Sequence, residues 1–193
     1  GDSLSIFKKN ATEKTQNFDP FLKEGNDSSI FVFDIPHKDG KPIIDAEFIR
    51  LIFQDYEIDP NESSISFHER LDYDSKQSFY VIVVFANRSI AINAIRDLNY
   101  TKLDGIPIRL VLADNETRRK ISTNEGKLLV NNLDHDIDVS QLHDAFSNFG
   151  EVIECEIPND NGVSRGYGIV QFRDVKDASQ AKIVLKDNLF NGK

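Results

Sequence analysis

Residues 165–172 read RGYGIVQF, a cation and a phenol ring interleaved with glycines and followed by alternating apolar and polar positions. On a strand, period-2 alternation turns Arg165, Tyr167, Ile169 and Gln171 to one face and Val170 and Phe172 to the other. The first face then carries a guanidinium suited to a phosphate and a ring able to stack on a planar base. Gly166 and Gly168 would let such a ligand approach the backbone. An earlier pair of segments offers related chemistry: SSIFVFDI at 28–35 and SFYVIVVF at 78–85. Alternation there turns Phe31, Phe33, Tyr80, Ile82 and Val84 outward and Ile30, Val32, Val81, Val83 and Phe85 inward. That face is apolar, with no lysines flanking it, and bulky Phe79 and Val81 stand where the other segment has glycines, which would crowd an approaching ligand.

Catalytic chemistry finds no comparable support. There is no nucleophile with a positioned base, no phosphate-cradling glycine loop and no metal-ligand spacing, so no enzyme, metal or cofactor is expected. His37, His68, His135 and His143 are dispersed, and Asp134 and Asp136 suit the turn before a helix. The single cysteine, Cys155, reads as a small buried residue.

The elements that position these residues occur twice in the same order. Apolar alternation predicts strands at 28–35, 64–69, 78–85 and 106–112, with amphipathic helices at 45–55 and 88–98. The second copy predicts strands at 126–133, 152–157 and 165–172, with helices at 138–149 and 174–186. Asp138 and Gln141 form a capping box, Gly150 stops that helix, and Asn132 closes the strand-to-loop turn. The order βαββαβ is a ferredoxin-like split: an α+β fold with a four-stranded antiparallel sheet and two helices on one face. The second copy ends before its fourth strand, which predicts an unpaired edge on its first strand unless strand exchange between molecules fills it. Domain 1 is thus expected at 28–112, a linker at 113–125 and domain 2 at 126–193. Residues 1–27 read as a flexible tail with scattered Phe7, Phe18, Phe21 and Leu22.

The chain has 193 residues and a net charge of −9, which argues against holding a polyanion by bulk electrostatics. Each copy carries −4, whereas the linker concentrates Arg118, Arg119 and Lys120. No apolar run approaches a membrane span, so a soluble protein of the cytoplasm, the nucleus or both is expected.

RGYGIVQF matches the octamer K/R-G-F/Y-G/A-F-V-x-F/Y of RNA-recognition-motif (RRM) domains at every position but the fifth, where Ile169 replaces an aromatic. The segment 127–157, KLLVNNLDHDIDVSQLHDAFSNFGEVIECEI, and the segment 94–122, AIRDLNYTKLDGIPIRLVLADNETRRKIS, resemble the tandem RRM pair of the poly(A)-binding-protein family, and the asparagine- and isoleucine-rich composition suggests a divergent fungal member. The resemblance implies binding of single-stranded RNA, mRNA in particular, along both sheets, with a role in mRNA metabolism. It implies a groove with stacking by Phe31, Phe33, Tyr80 and Tyr167 and apolar packing by Ile82, Leu129 and Ile169. Phosphate contact falls to Lys127, Arg165, Arg118, Arg119 and Lys120, and base-edge contact to Asn131. A merely solvated linker is the alternative for the last three cations.

Two departures weaken the second sheet. Leu129 and Ile169 replace customary stacking rings, each worth roughly 1–3 kcal/mol per base. Glu154 and Glu156 face outward on the second strand, and Glu156 stands where the resemblance implies a lysine; such carboxylates either repel phosphate or are simply solvated. An apolar sheet face on domain 1 also fits a second function, a protein-interaction module.

Overall fold

Asp45 and Asn87 precede two apolar-periodic segments, and each begins a helix with its own side chain. Asp45 Oδ1 accepts from the Phe48 amide at 2.9 Å, and Asn87 Oδ1 accepts from that of Ile90 at 3.0 Å. The computed structural model describes residues 4–6, 27–160 and 162–186. Of the expected flexible tail, Phe7, Phe18, Phe21 and Leu22 lie outside the described residues.

The elements run in this order. Strand β1 is Leu4–Ile6 and β2 is Ser29–Phe33; the short hairpin β3 (His37–Lys38) and β4 (Lys41–Pro42) leads to α1, Ala46–Ile52. Strands β5 (Ile65–Leu71) and β6 (Gln77–Val84) precede α2, Arg88–Leu98. A second small hairpin, β7 (Lys102–Leu103) with β8 (Ile106–Pro107), leads to β9, Arg109–Leu112, and then to α3, Asn115–Ile121. The second copy comprises β10 (Lys127–Val130), α4 (Val139–Ser147), β11 (Val152–Glu156), the hairpin β12 (Asn159–Asp160) with β13 (Val163–Ser164), β14 (Gly168–Phe172) and α5 (Val175–Lys186).

Residues 24–115 form one unit, with antiparallel sheet order β5-β6-β2-β9. Its core lies between the sheet and α1 and α2, and gathers Ile30, Val32, Ile49, Phe53, Val81, Val83, Phe85 and Ala91. Asn99 accepts from the Leu110 amide at 2.8 Å and so fixes the entry to β9. Phe79 belongs to this same helix-side core. Phe79 and Val81 therefore crowd nothing on the open face, because alternation sends them inward.

Among the described residues, 4–6 join those from 116 to 186 in the other unit, with sheet order β11-β14-β10-β1. The fourth position is filled: Leu4, Ser5 and Ile6 pair antiparallel with Val130, Leu129 and Leu128. This corrects the expectation of an unpaired edge, and residues 4–6 of the expected flexible tail are a strand. The capping box of α4 is present, with Asp138 accepting from Gln141 N and Gln141 accepting from Asp138 N. Leu142, Phe146, Val170, Phe172 and Ala181 supply its buried core.

The two copies share a local device at the exit of their first strands. Asp34 and Asn132 take φ of 65° and 57°, a left-handed conformation that short polar side chains tolerate best. The next residue then turns inward: Ile35 and Leu133 are 2% and 5% exposed. Asn132 thus closes the turn, as expected.

Candidate nucleic-acid interface

On the first domain, the sheet face away from the helices carries an aromatic cluster. Phe31 and Phe33, two apart on β2, stack at 5.3 Å between ring centroids, and Tyr80 from β6 lies 5.9 and 5.7 Å from them. Ile82 pairs directly with Phe31 across the ladder and is half-buried. Alternation therefore brings the four expected side chains together.

An imidazole and two guanidinium groups join them that the sequence reading missed. His68 of β5 lies opposite Tyr80 in the ladder and stacks on its ring at 5.1 Å and 20°, its Nε2 2.8 Å from Ser66 Oγ. The Arg70 guanidinium sits 4.5 Å from the Phe33 ring centre, and that of Arg109, opposite Phe33 on β9, at 5.0 Å. Asp34 holds Arg109 Nε at 2.5 Å, and the arginine side chain is only 3% exposed. The face is thus aromatic and cationic, a correction to the expectation of an apolar surface without flanking charge. The period-2 spacing of His68 and Arg70, and of Arg109 with Val111, was the available signal. Phe31, Phe33 and Tyr80 are 0–1% exposed, although α1 and α2 pack on the opposite side.

The second sheet presents ordered rows. Lys127, Gln171 and Glu154 lie side by side across β10, β14 and β11, and Leu129, Ile169 and Glu156 form the next row. Lys127 Nζ stands 3.7 Å from Glu154 Oε2, and Glu154 is buried, so its charge is offset within the sheet rather than facing a ligand. Ile169 and Gln171 are buried, while Leu129, Asn131 and Tyr167 are half-buried.

Strand β14 begins at Gly168, three residues later than alternation predicts, because Gly166 adopts φ 82° and breaks the extended run. Arg165 therefore precedes the strand. Its guanidinium reaches Asp160 Oδ1 at 3.0 Å and the Asn159 carbonyl at 3.3 Å, bracing the β12–β13 hairpin. The glycines have other uses than base approach. Gly166 supplies a left-handed turn, and a Cβ on Gly168 would lie 2.6 Å from Leu142 Cδ2, under helix α4.

The linker cations also differ from expectation. Arg118 is buried on α3, Lys120 binds the Arg173 carbonyl and lies 3.7 Å from Glu116, and Arg119 alone of the three is exposed.

The histidines lie apart: His37 contacts the Phe79 ring, His135 Nδ1 the Ser164 carbonyl, and His143 lies beside Asp144. Burial holds the His143 imidazole below its ordinary pKa, against the weaker upward pull of Asp144. Among the described residues no group of three or more His, Cys, Asp or Glu could hold a metal ion, and no helix is long and apolar enough to cross a membrane.

Residues 128–193 match the family model described as RNA recognition motif. The chain is 39% identical over 117 residues to Polyadenylate-binding protein 2 of Arabidopsis thaliana, covering 59% of this chain and 18% of the relative. It is 37% identical over 115 residues to the Polyadenylate-binding protein, cytoplasmic and nuclear, of Eremothecium gossypii, covering 58% and 19%. The chain thus spans about a fifth of the length of these relatives, and their near-equal identities favour no lineage. Among solved structures it is similar to a Sex-lethal protein/RNA complex, at 19% identity and TM-score 0.43 over 87% of this chain and 95% of that one. It is also similar to the first two RRM domains of the yeast poly(U)-binding protein, at 22% identity and TM-score 0.34 over 86% and 94%.

Proposed function

We propose that this RRM-containing chain binds single-stranded RNA, mRNA in particular, as a non-catalytic module of mRNA metabolism in the cytoplasm, the nucleus or both. The observation that carries the reading is the gathering of Phe31, Phe33 and Tyr80 with His68, Arg70 and Arg109 on the first domain's helix-free sheet face. Rings stack on bases of any identity once the cover that leaves them 0–1% exposed is displaced, and the two guanidinium groups beside them offset phosphate charge. The RNA recognition motif match over 128–193 supports the same reading for the second domain. There Tyr167, Leu129, Ile169 and Asn131 are the proposed base contacts, with Lys127, Arg165 and the linker cations facing phosphate. Affinity is modest, because the net charge is −9 and Arg165 and Lys127 already serve Asp160 and Glu154.

The test is a titration of labelled adenine-rich, uridine-rich and random single strands at low and physiological salt, with Tyr167→Ala and Arg165→Ala alongside. Binding should weaken with salt. Tyr167→Ala should lose about five- to 150-fold, the worth of one stacked base, and Arg165→Ala less, since its ion pair with Asp160 must be given up on binding. Absence of binding to every strand at low salt, or wild-type affinity in both variants, would refute it.

A second reading, a protein-interaction role for the first domain's sheet, is favoured by the burial of Phe31, Phe33 and Tyr80 within the chain itself on a face that α1 and α2 do not cover, which shows that this face accepts polypeptide. Capture of a defined protein in competition with RNA, lost in Ile82→Asp, would distinguish it.

A further inference from the structure

We infer that helix α3 is a reversible cover on the second domain's sheet, latched by Gln171 and Arg173, and that RNA must displace it; the inference rests on the RNA-binding reading above. Gln171 lies mid-strand on β14, between Lys127 and Glu154, on the face opposite α4 and α5. It is nevertheless fully buried. Its side-chain nitrogen donates to the Lys120 carbonyl at 2.8 Å and the Glu125 carbonyl at 2.9 Å, while its buried Oε1 accepts no hydrogen bond among the described residues. Two residues on, Arg173 pairs with Glu116 at 3.0 Å and donates to Thr117 Oγ1 at 2.9 Å. Lys120 returns its ammonium to the Arg173 carbonyl. The start of α3, its end and the residues after it are all tied to one strand and its extension, and Thr117, Arg118 and Ile121 are buried.

The helix has seven residues, too few to be stable alone in water. Its shape therefore depends on docking, and release would return it to a basic coil. Docked, it engages Lys120, buries Arg118 and consumes both amide hydrogens of Gln171. Released, it would offer three cations to phosphate and uncover Gln171. The docked and RNA-bound states thus draw on the same groups, and such linkage makes them compete.

Glu116→Gln combined with Thr117→Val weakens the latch from the helix side and leaves the sheet and every cation in place. Glu125→Gln is its charge-matched control, since Glu125 contributes only a backbone carbonyl. In the full chain the latch variant should bind adenine- or uridine-rich RNA about three- to tenfold more tightly than the control. Amide exchange over 119–122 should accelerate in the free variant, and in the wild type when RNA is added. Equal affinity of variant and control, or protection of 119–122 that RNA leaves unchanged or raises, would overturn the inference while the RNA-binding reading stands. No RNA binding by either protein would overturn both.

Discussion

Gly168→Ala separates two uses of a glycine that the sequence alone does not distinguish. A Cβ at this position would sit 2.6 Å from Leu142 Cδ2, 3.1 Å from Leu133 Cδ1 and 3.2 Å from the Glu156 carbonyl oxygen. Comfortable carbon–carbon contact begins near 3.5 Å, so Leu142 must move by about 1 Å. Leu142 is fully buried one turn into α4, whose start is held by the Asp138–Gln141 capping box, and Leu133 is 5% exposed. Overpacking of this kind costs roughly 1–3 kcal/mol, and the loss of glycine's unfolded-state freedom returns about 0.5–1 kcal/mol. The net expectation is a destabilisation of about 1–2 kcal/mol, or roughly 5–10 °C in the Tm of a domain this size. Thermal unfolding reads it directly. Titration with RNA at 10 °C, where both proteins stay folded, should show affinity within about twofold of wild type. An unchanged Tm with a clear loss of RNA affinity would refute the packing argument and restore the glycine to the ligand-facing side.

Two further outcomes follow from buried charge. Asp34→Asn keeps a side chain that tolerates φ 65° but takes the carboxylate from Arg109; it should cost roughly 2–3 kcal/mol in denaturant unfolding, less than the ~3–5 of a fully buried pair because Asp34 stays 30% exposed. A loss under 0.5 kcal/mol would show that the ion pair does not hold Arg109 over Phe33. The imidazole of His143 is held below its usual pKa by burial, so the unfolded chain takes up a proton first. Stability is then complete above about pH 6.5, falls as the pH drops from there toward the lower folded value, and levels off below it. His143→Gln should flatten that acid limb in melts between pH 7 and 5, and an unaltered slope would assign it to other groups.

Where a feature depends on neighbours in sequence, it was readable from the sequence. Helix α2 was placed at 88–98 from its apolar spacing and observed at Arg88–Leu98, and the capping box rested on two residues three apart. The inward set of the first sheet followed from alternation alone. Features that depend on distant partners were not readable. NETRRKI is polar and basic, and only Gln171 and Arg173, some fifty residues on, make it a docked helix. The same holds for Leu4–Ile6, three residues without a strand signal until β10 pairs with them. Alternation did put Gly168 on the side of Val170 and Phe172, but the contact with Leu142 that requires a glycine belongs to tertiary packing. His68, Arg70 and Arg109 obey the same alternation, but whether each lies against a ring or in solvent is set by its partners across the sheet.

The pairing of β1 with β10 also bears on the order in which the chain folds. Leu4 and Val130 are neighbours in the sheet yet separated by more than 120 positions, and between them lies a complete unit, residues 24–115, with its own core. During synthesis that unit can fold before most of the second copy exists, while β1 waits for its partner. Contacts of such separation raise the contact order of the second unit and form late, after local helices and hairpins. The closing entropy grows only logarithmically with the intervening length, so the long separation delays the edge strand far more than it weakens it. Kinetic experiments should therefore find β1 among the last structure to form, although it is made before the unit that separates it from β10.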